Sequence, residues 1–247
     1  MKMIRLVSAL IVAALASMAA QAGPGWTVLT FSVAPLDAPK MVAAIDAWFA
    51  TSGKNYPGQV TLLFNEADGT DPATHTVLTT YPSMAADEAF SRSVQSDQKM
   101  MADWTKLLTA VSAIATPVQR ARGAFLGNWG DVDPADTVWM HHFITANDAP
   151  AVVAAIEKWM NSPTGKKAPG QMHLSGAVAG GIGSASHIVS VGNASLAEAE
   201  QWRDSLRGNS DFQAFMTAMN AAAEYHGANL AIEVKSWGEP PEAVGGR

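Results

Sequence analysis

Cysteine is absent from the 247 residues. That excludes disulfides, zinc–thiolate and iron–sulfur centres, and any cysteine nucleophile. Charge is also scarce: Asp, Glu, Lys and Arg together make up 15% of the chain. The balance is acidic, with a formal net charge of −6. No basic surface is available for a phosphate backbone, so nucleic acid is not an expected partner. Long apolar runs are missing too. The longest, residues 6–20, is interrupted by Ser8 and Ser17 and falls short of the ~20 residues that span a bilayer. What is plentiful is apolar side chain, 48% of the sequence, which excludes a disordered chain.

Residues 1–22 read as a secretory leader. Lys2 and Arg5 precede the apolar stretch, and Ala20-Gln21-Ala22 forms a small-x-small cleavage site. Without a cysteine no lipid can be attached there. Cleavage after Ala22 leaves 225 residues and, by removing two positive charges, moves the net charge from −6 to −8. The expectation is an exported protein, periplasmic or secreted, from a bacterium, with no membrane association once the leader is removed.

The remainder repeats itself. Residues 37–49 return 111 positions later as residues 148–160, with eight of 13 residues identical. Pro57-Gly58-Gln59 matches Pro169-Gly170-Gln171, His75 matches His187, Ser83 matches Ser195 and Phe90 matches Trp202, all at spacing 112. Trp129-Gly130 matches Trp237-Gly238 at spacing 108. A register that drifts so little indicates an internal duplication. The organisation expected is a leader (1–22), a first unit (23–130), a polar linker (131–136), a second unit (137–238) and a disordered tail (239–247).

Periodicity sets the elements. Leu29, Phe31 and Val33 alternate with Val28, Thr30 and Ser32 across 26–34, the mark of a strand. Asp37 is placed to cap a helix whose Met41, Val42, Ile45, Trp48 and Phe49 share one face. Residues 59–64 and 74–81 read as a hairpin around a polar loop. Ser83 caps a short helix, Ser96 a longer one that Pro117 stops, and 118–129 forms the last strand. The second unit repeats the order at 137–145, 148–160, 171–177, 187–191, 195–207, 210–226 and 230–237. A βαββαβ order is a ferredoxin-like unit with helices on one sheet face only, so the bare face needs a partner. The fold class expected is α+β: two tandem ferredoxin-like units packed sheet to sheet as a pseudo-dimeric α+β barrel.

That architecture resembles the dimeric α+β-barrel superfamily in tandem form. The segment 193–202, followed by Asn209-Ser210-Asp211-Phe212-Gln213-Ala214-Phe215, is similar to the helix pair of antibiotic-biosynthesis-monooxygenase-like barrels. The resemblance covers residues 26–238. It implies any of several activities: cofactor-independent oxygenation, haem degradation, lactone isomerisation, or haem binding as in chlorite dismutases.

Five of the six histidines lie in the second unit: His141, His142, His173, His187 and His226. On a strand, adjacent His141 and His142 face opposite ways, while His173 shares a face with Gln171 and Ser175. One of the pair, with His173 and His187, could converge inside the barrel as general base or ligand-binding group. The candidate ligand-binding residues are therefore His141, His142, His173, His187, Gln171 and Ser175. The alternative is a set of satisfied strand histidines. Ala67-Asp68-Gly69-Thr70, which resembles part of a dye-decolorising-peroxidase signature, reads as a turn. Gly180-Gly181-Ile182-Gly183 precedes no helix and is no phosphate loop. Arg120 and Arg122, with Lys106, either grip an anion or block a sheet edge. The repeated tryptophans read as core or inter-unit packing. The function expected is binding or transformation of a small molecule in a barrel cavity without a redox cofactor or metal. The alternatives are a filled barrel serving as a non-catalytic module, or a haem protein, for which no proximal-histidine motif stands out. Oligomeric state is not legible.

Overall fold

The alternation across residues 26–34 is realised as β1 (Gly25–Val33), the first strand of a computed structural model that describes residues 23–67, 69, 71–130 and 135–242. The leader, Asp68 and Thr70 of the polar turn, linker residues 131–134 and tail residues 243–247 lie outside the described residues. After β1 come α1 (Ala38–Phe49), β2 (Gln59–Ala67), β3 (His75–Tyr81), α2 (Met84–Ser96), α3 (Gln98–Ser112) and β4 (Ala115–Trp129). The second half repeats the order with β5 (Val138–Ala146), α4 (Ala149–Met160), β6 (Met172–Gly180), β7 (His187–Asn193), α5 (Leu196–Ser205), α6 (Ser210–Ala222) and β8 (Ala223–Gly238). No described helix is long and apolar enough to cross a membrane.

Each half makes a four-stranded antiparallel sheet, β4-β1-β3-β2 and β8-β5-β7-β6. The two face one another and are joined along both margins, β2 to β8 and β4 to β6, into one closed eight-stranded barrel. Closure leaves no strand with a free edge, which answers the bare-face and exposed-edge problems together. β4 is therefore not an edge strand, and the edge-blocking reading of its arginines does not hold. Arg122 ion-pairs with Asp87 and lies 5.6 Å from the Tyr81 ring centroid, and Arg120 is exposed.

The helices coat the outside as two apolar layers. In the first half Met41, Ile45 and Trp48 of α1 bury against Val33, Val60 and Leu62. In the second, Val152, Ile156 and Trp159 of α4 bury against Ile144, Met172, Leu174 and Val189. Removing these side chains from water is the main driving force for the fold. Each layer also borrows from the other half. Trp237, on the last strand of the second half, is buried in the first layer and stacks on Phe49 at 6.0 Å. Its indole N–H donates to Asp46 of α1 at 2.6 Å. Trp129, on the last strand of the first half, packs into the second layer.

Several local expectations need correction. Asp97, not Ser96, caps α3, accepting from the amides of Lys99 and Met100. Pro117 does not stop that helix. It lies within β4 opposite Phe31, where the pairing with β1 shifts register and a missing N–H is tolerated. The helix expected over 210–226 ends at Ala222, because residues 223–225 pair with β5. Asp37 occupies the N-cap position of α1, but its side chain caps nothing. Its carboxylate is held instead by the Lys40 ammonium at 2.7 Å.

Candidate functional site

Inside the barrel one polar row crosses five adjacent strands. Asn229 on β8 lies opposite His141 on β5, His141 opposite Ser190 on β7, Ser190 opposite His173 on β6, and His173 opposite Asn128 on β4. His141 Nδ1 and Ser190 Oγ are 2.8 Å apart. His173 Nδ1 hydrogen-bonds Asn128 Oδ1, and its ring stacks on Trp139 with centroids 5.5 Å apart. Burial drives the pKa of both imidazoles down to about 4, and for His141 the neighbouring His142 and His173 add to the effect. Both rings are neutral at pH 7. The matching row of the first half, set by the same pairings, is Ala121, Val28, Leu78, Thr61 and Ser236. One wall of the interior is thus polar and the opposite wall largely apolar.

Between the walls is a cavity of about 400 Å³, lined on the polar side by His141, Ser175, Ser190 and Asn229. The loop after β6 folds back over the barrel end, and Ile182 packs beside Trp26 and Ala121. The Gly180–Gly183 segment is therefore a plug. Gly123, beneath Trp26, leaves no room for a Cβ, which would meet the indole at 2.2 Å.

The remaining candidates do not converge here. His142 and His187 project from the outer sheet face, as the two-residue period requires for neighbours of His141 and Ile188. His187 bonds Ser186 Oγ at 2.7 Å. Gln171 sits at the start of β6, its amide donating to Asp136 and its carbonyl accepting from Gly192, and it does not line the cavity. His226, expected at a helix end, lies on β8 at the cavity mouth, 2.7 Å from Thr145 Oγ1.

A second and larger cavity, about 560 Å³, lies between α5, α6 and the outer face of the second sheet. Its walls include Met140, Trp159, Val191, Leu230 and Phe215, and Leu196, Met216 and Tyr225 stand exposed at its mouth. Polar residues stand among these apolar walls: His142, Asn193 and Asn220, with the exposed Glu200 and Arg203. His142 has no hydrogen bond to either ring nitrogen among the described residues, and burial lowers its pKa. Asn193 Oδ1 is buried without a partner.

The repeat explains why the space exists. Matched strand registers and helix caps pair Thr27 with Met140, Tyr81 with Asn193, Asp87 with Ala199, Trp104 with Met216 and Arg122 with Leu230. In the first half those positions are filled and tied together. The Tyr81 hydroxyl donates to the Trp26 carbonyl at 3.0 Å, and Arg122 bonds Asp87 and Thr27. In the second half smaller or apolar residues leave the volume open. This cavity is not legible in the sequence of either copy alone. The signal was available in the two copies: Tyr81, Tyr56 and Trp104 face Asn193, Ala168 and Met216 at spacing 112.

No protein-family model matches the chain, and no curated protein matches it. Solved structures do. A candidate monooxygenase from Lactobacillus acidophilus aligns over 90% of this chain and 100% of its own, at a TM-score of 0.64 and 10% identity. One from Fusobacterium nucleatum aligns over 90% and 95%, at 0.57 and 13% identity. An anthrone oxidase-like protein aligns over 90% and 97%, at 0.54 and 13% identity. The chain has the dimeric α+β-barrel fold. Both halves of the barrel are supplied here by one polypeptide.

Dimeric α+β barrels that hold haem need an axial ligand. A metal-ligating imidazole normally has its second nitrogen fixed by a carboxylate or carbonyl. His142 lacks that support, and no three His, Asp or Glu side chains cluster as metal ligands among the described residues. The described residues thus give the second nitrogen of His142 no carboxylate or carbonyl partner.

Proposed function

We propose that the protein is an exported binder of a small, largely apolar ring compound, held in the helix-layer cavity of the second half. The observation that carries this reading is the asymmetry of the duplication. One copy fills the position with a Tyr–Arg–Asp cluster, and the other lines about 560 Å³ chiefly with Met, Leu, Trp and Phe, Glu200 and Arg203 being the charged residues of its wall. The volume is within the usual range for small-molecule sites, and an apolar wall with a few convergent polar groups is their usual character. Asn193 pairs with Val138, four residues before His142 on β5, about 13 Å along the strand, so the two offer polar contacts at separate ends of the ligand. A neutral imidazole in such surroundings suits proton abstraction from an acidic C–H or O–H, chemistry that requires no redox cofactor. Export rests on the leader sequence, and a mature N-terminus at Gly23 is the expected mass-spectrometric result.

Anthrone, the compound class in the name of one structural neighbour, is the first probe. Titration calorimetry is expected to give saturable binding that Met216→Trp abolishes by restoring the filler of the first half. His142→Ala should keep the fold and weaken binding about tenfold, the loss of one hydrogen bond in a dry site. Binding indifferent to Met216→Trp overturns this reading.

A further inference from the structure

Among the described residues the barrel interior carries four buried polar atoms without partners, and three of them belong to residues lining the same cavity: Trp26 Nε1, Thr30 Oγ1 and Asn229 Oδ1; the fourth is Thr80 Oγ1. Trp26 itself is 98% enclosed, with 2% of its surface exposed. Buried polar groups are almost always hydrogen-bonded, so three orphans on one wall system are a feature to be explained. They come from both halves: Trp26 and Thr30 stand on β1, Asn229 on β8. Their chemistry is complementary, since the indole N–H can only donate, the amide oxygen can only accept, and the threonine hydroxyl does either.

Charge narrows the ligand further. Among the described residues no lysine or arginine lines the cavity, and the one carboxylate there, Asp71, accepts from the Ala73 amide at 2.9 Å. An anion would enter with no countercharge, and a cation would find only that one carboxylate. The other walls are rings and branched aliphatics, among them Phe125, Phe143 and Ile188. A hydroxyl is the smallest organic group that can both accept from an indole N–H and donate to an amide oxygen, and an aromatic ring suits walls of this kind.

We propose that the barrel interior is a second ligand site, distinct from the helix-layer cavity, for a small uncharged phenol. The hydroxyl accepts from Trp26 Nε1 or Thr30 Oγ1 and donates to Asn229 Oδ1, and the ring lies against the phenylalanines. At about 400 Å³ the space is at the small end of ligand pockets, suited to one substituted ring.

The test is calorimetric titration of phenol into the full chain carrying Met216→Trp, so that the helix-layer cavity is filled and the two sites are read separately. Saturable binding at pH 7 is expected, with benzoate, its anionic counterpart, not binding. Thr30→Val and Asn229→Leu should each weaken phenol at least tenfold. They should leave the melting temperature of the ligand-free protein equal or higher, because each removes an unsatisfied polar atom. Val28→Phe, which fills the cavity between Trp26 and Thr30 while removing no polar atom, should abolish binding and serves if Asn229→Leu fails to fold. No saturable binding, binding untouched by Thr30→Val and Val28→Phe, or equal affinity for benzoate overturns the proposal. The first of those outcomes assigns the cavity to water.

Discussion

Asp37 and Asp148 show how one neighbour redirects an identical residue. Both open an Asp-Ala-Pro helix start, yet only Asp148 caps, accepting from the Ala151 amide at 3.0 Å. Position 40 is lysine and position 151 alanine, so the first carboxylate has an ammonium within reach and the second does not. Asp148→Ala is expected to cost about 1 kcal/mol in chemical denaturation, the usual value of a lost N-cap. Asp37→Ala loses only an exposed ion pair, worth ~0.5 kcal/mol or less. The histidines set a pH dependence at the same scale. His141 and His173 titrate near 4 in the folded protein and near 6.5 unfolded. Between those values the unfolded chain binds more protons, so stability is complete above about pH 6.5 and falls as pH drops towards 4. The combined loss is on the order of a few kcal/mol. Urea midpoints across that window should fall, and His141→Asn with His173→Asn should flatten the curve. That adjacent histidines face opposite ways is legible in the sequence. Which one faces inward depends on the register of β5 against both neighbours, which no single strand reveals.

Among elements, the exchanged tryptophans tie the halves together. Trp237→Ala is expected to cost roughly 3–5 kcal/mol, the range for deleting a buried aromatic ring. The damage should appear in the other half. Hydrogen exchange should speed up in α1, which donates Ile45 and Trp48 to the same cluster, and leave α4 protected. Faster exchange in α4 instead would mean that the tryptophan serves its own half. Strands and helices were legible because their apolar periods are clean, as at Met41, Ile45 and Trp48. Boundaries were not, where chain-distant pairing overrides local preference. The alanines at 221–223 carry a helical pattern forward, yet residue 223 turns extended at φ −148° to pair with Ala146. Likewise Pro117 reads as a helix stop locally, and only its place at a register shift shows why a strand accepts it.

The whole molecule is a closed ring of eight strands in which each half completes the other's sheet. Residues 23–130 expressed alone would expose β2 and β4 along their length, and two copies should close on each other. Light scattering after gel filtration is expected to show a dimer, and a stable monomer would contradict the account. The barrel was legible because a one-sided ferredoxin-like sheet repeated in tandem has few other ways to cover itself. The helix-layer cavity was not. A cavity is a difference in volume between matched positions, such as Tyr81 and Asn193, and becomes visible only when the copies are laid on one another in space.

The crossing of the halves has a consequence for the order in which the chain is made. β2 is complete by residue 67, but its partner β8 is the last strand, and the layer over α1 waits for Trp237. During synthesis the amino-terminal half therefore cannot finish its core before the carboxy-terminal strand has emerged. Until then the β2 margin of the amino-terminal sheet has no partner strand, and pairing between segments so distant in the chain is slow to form.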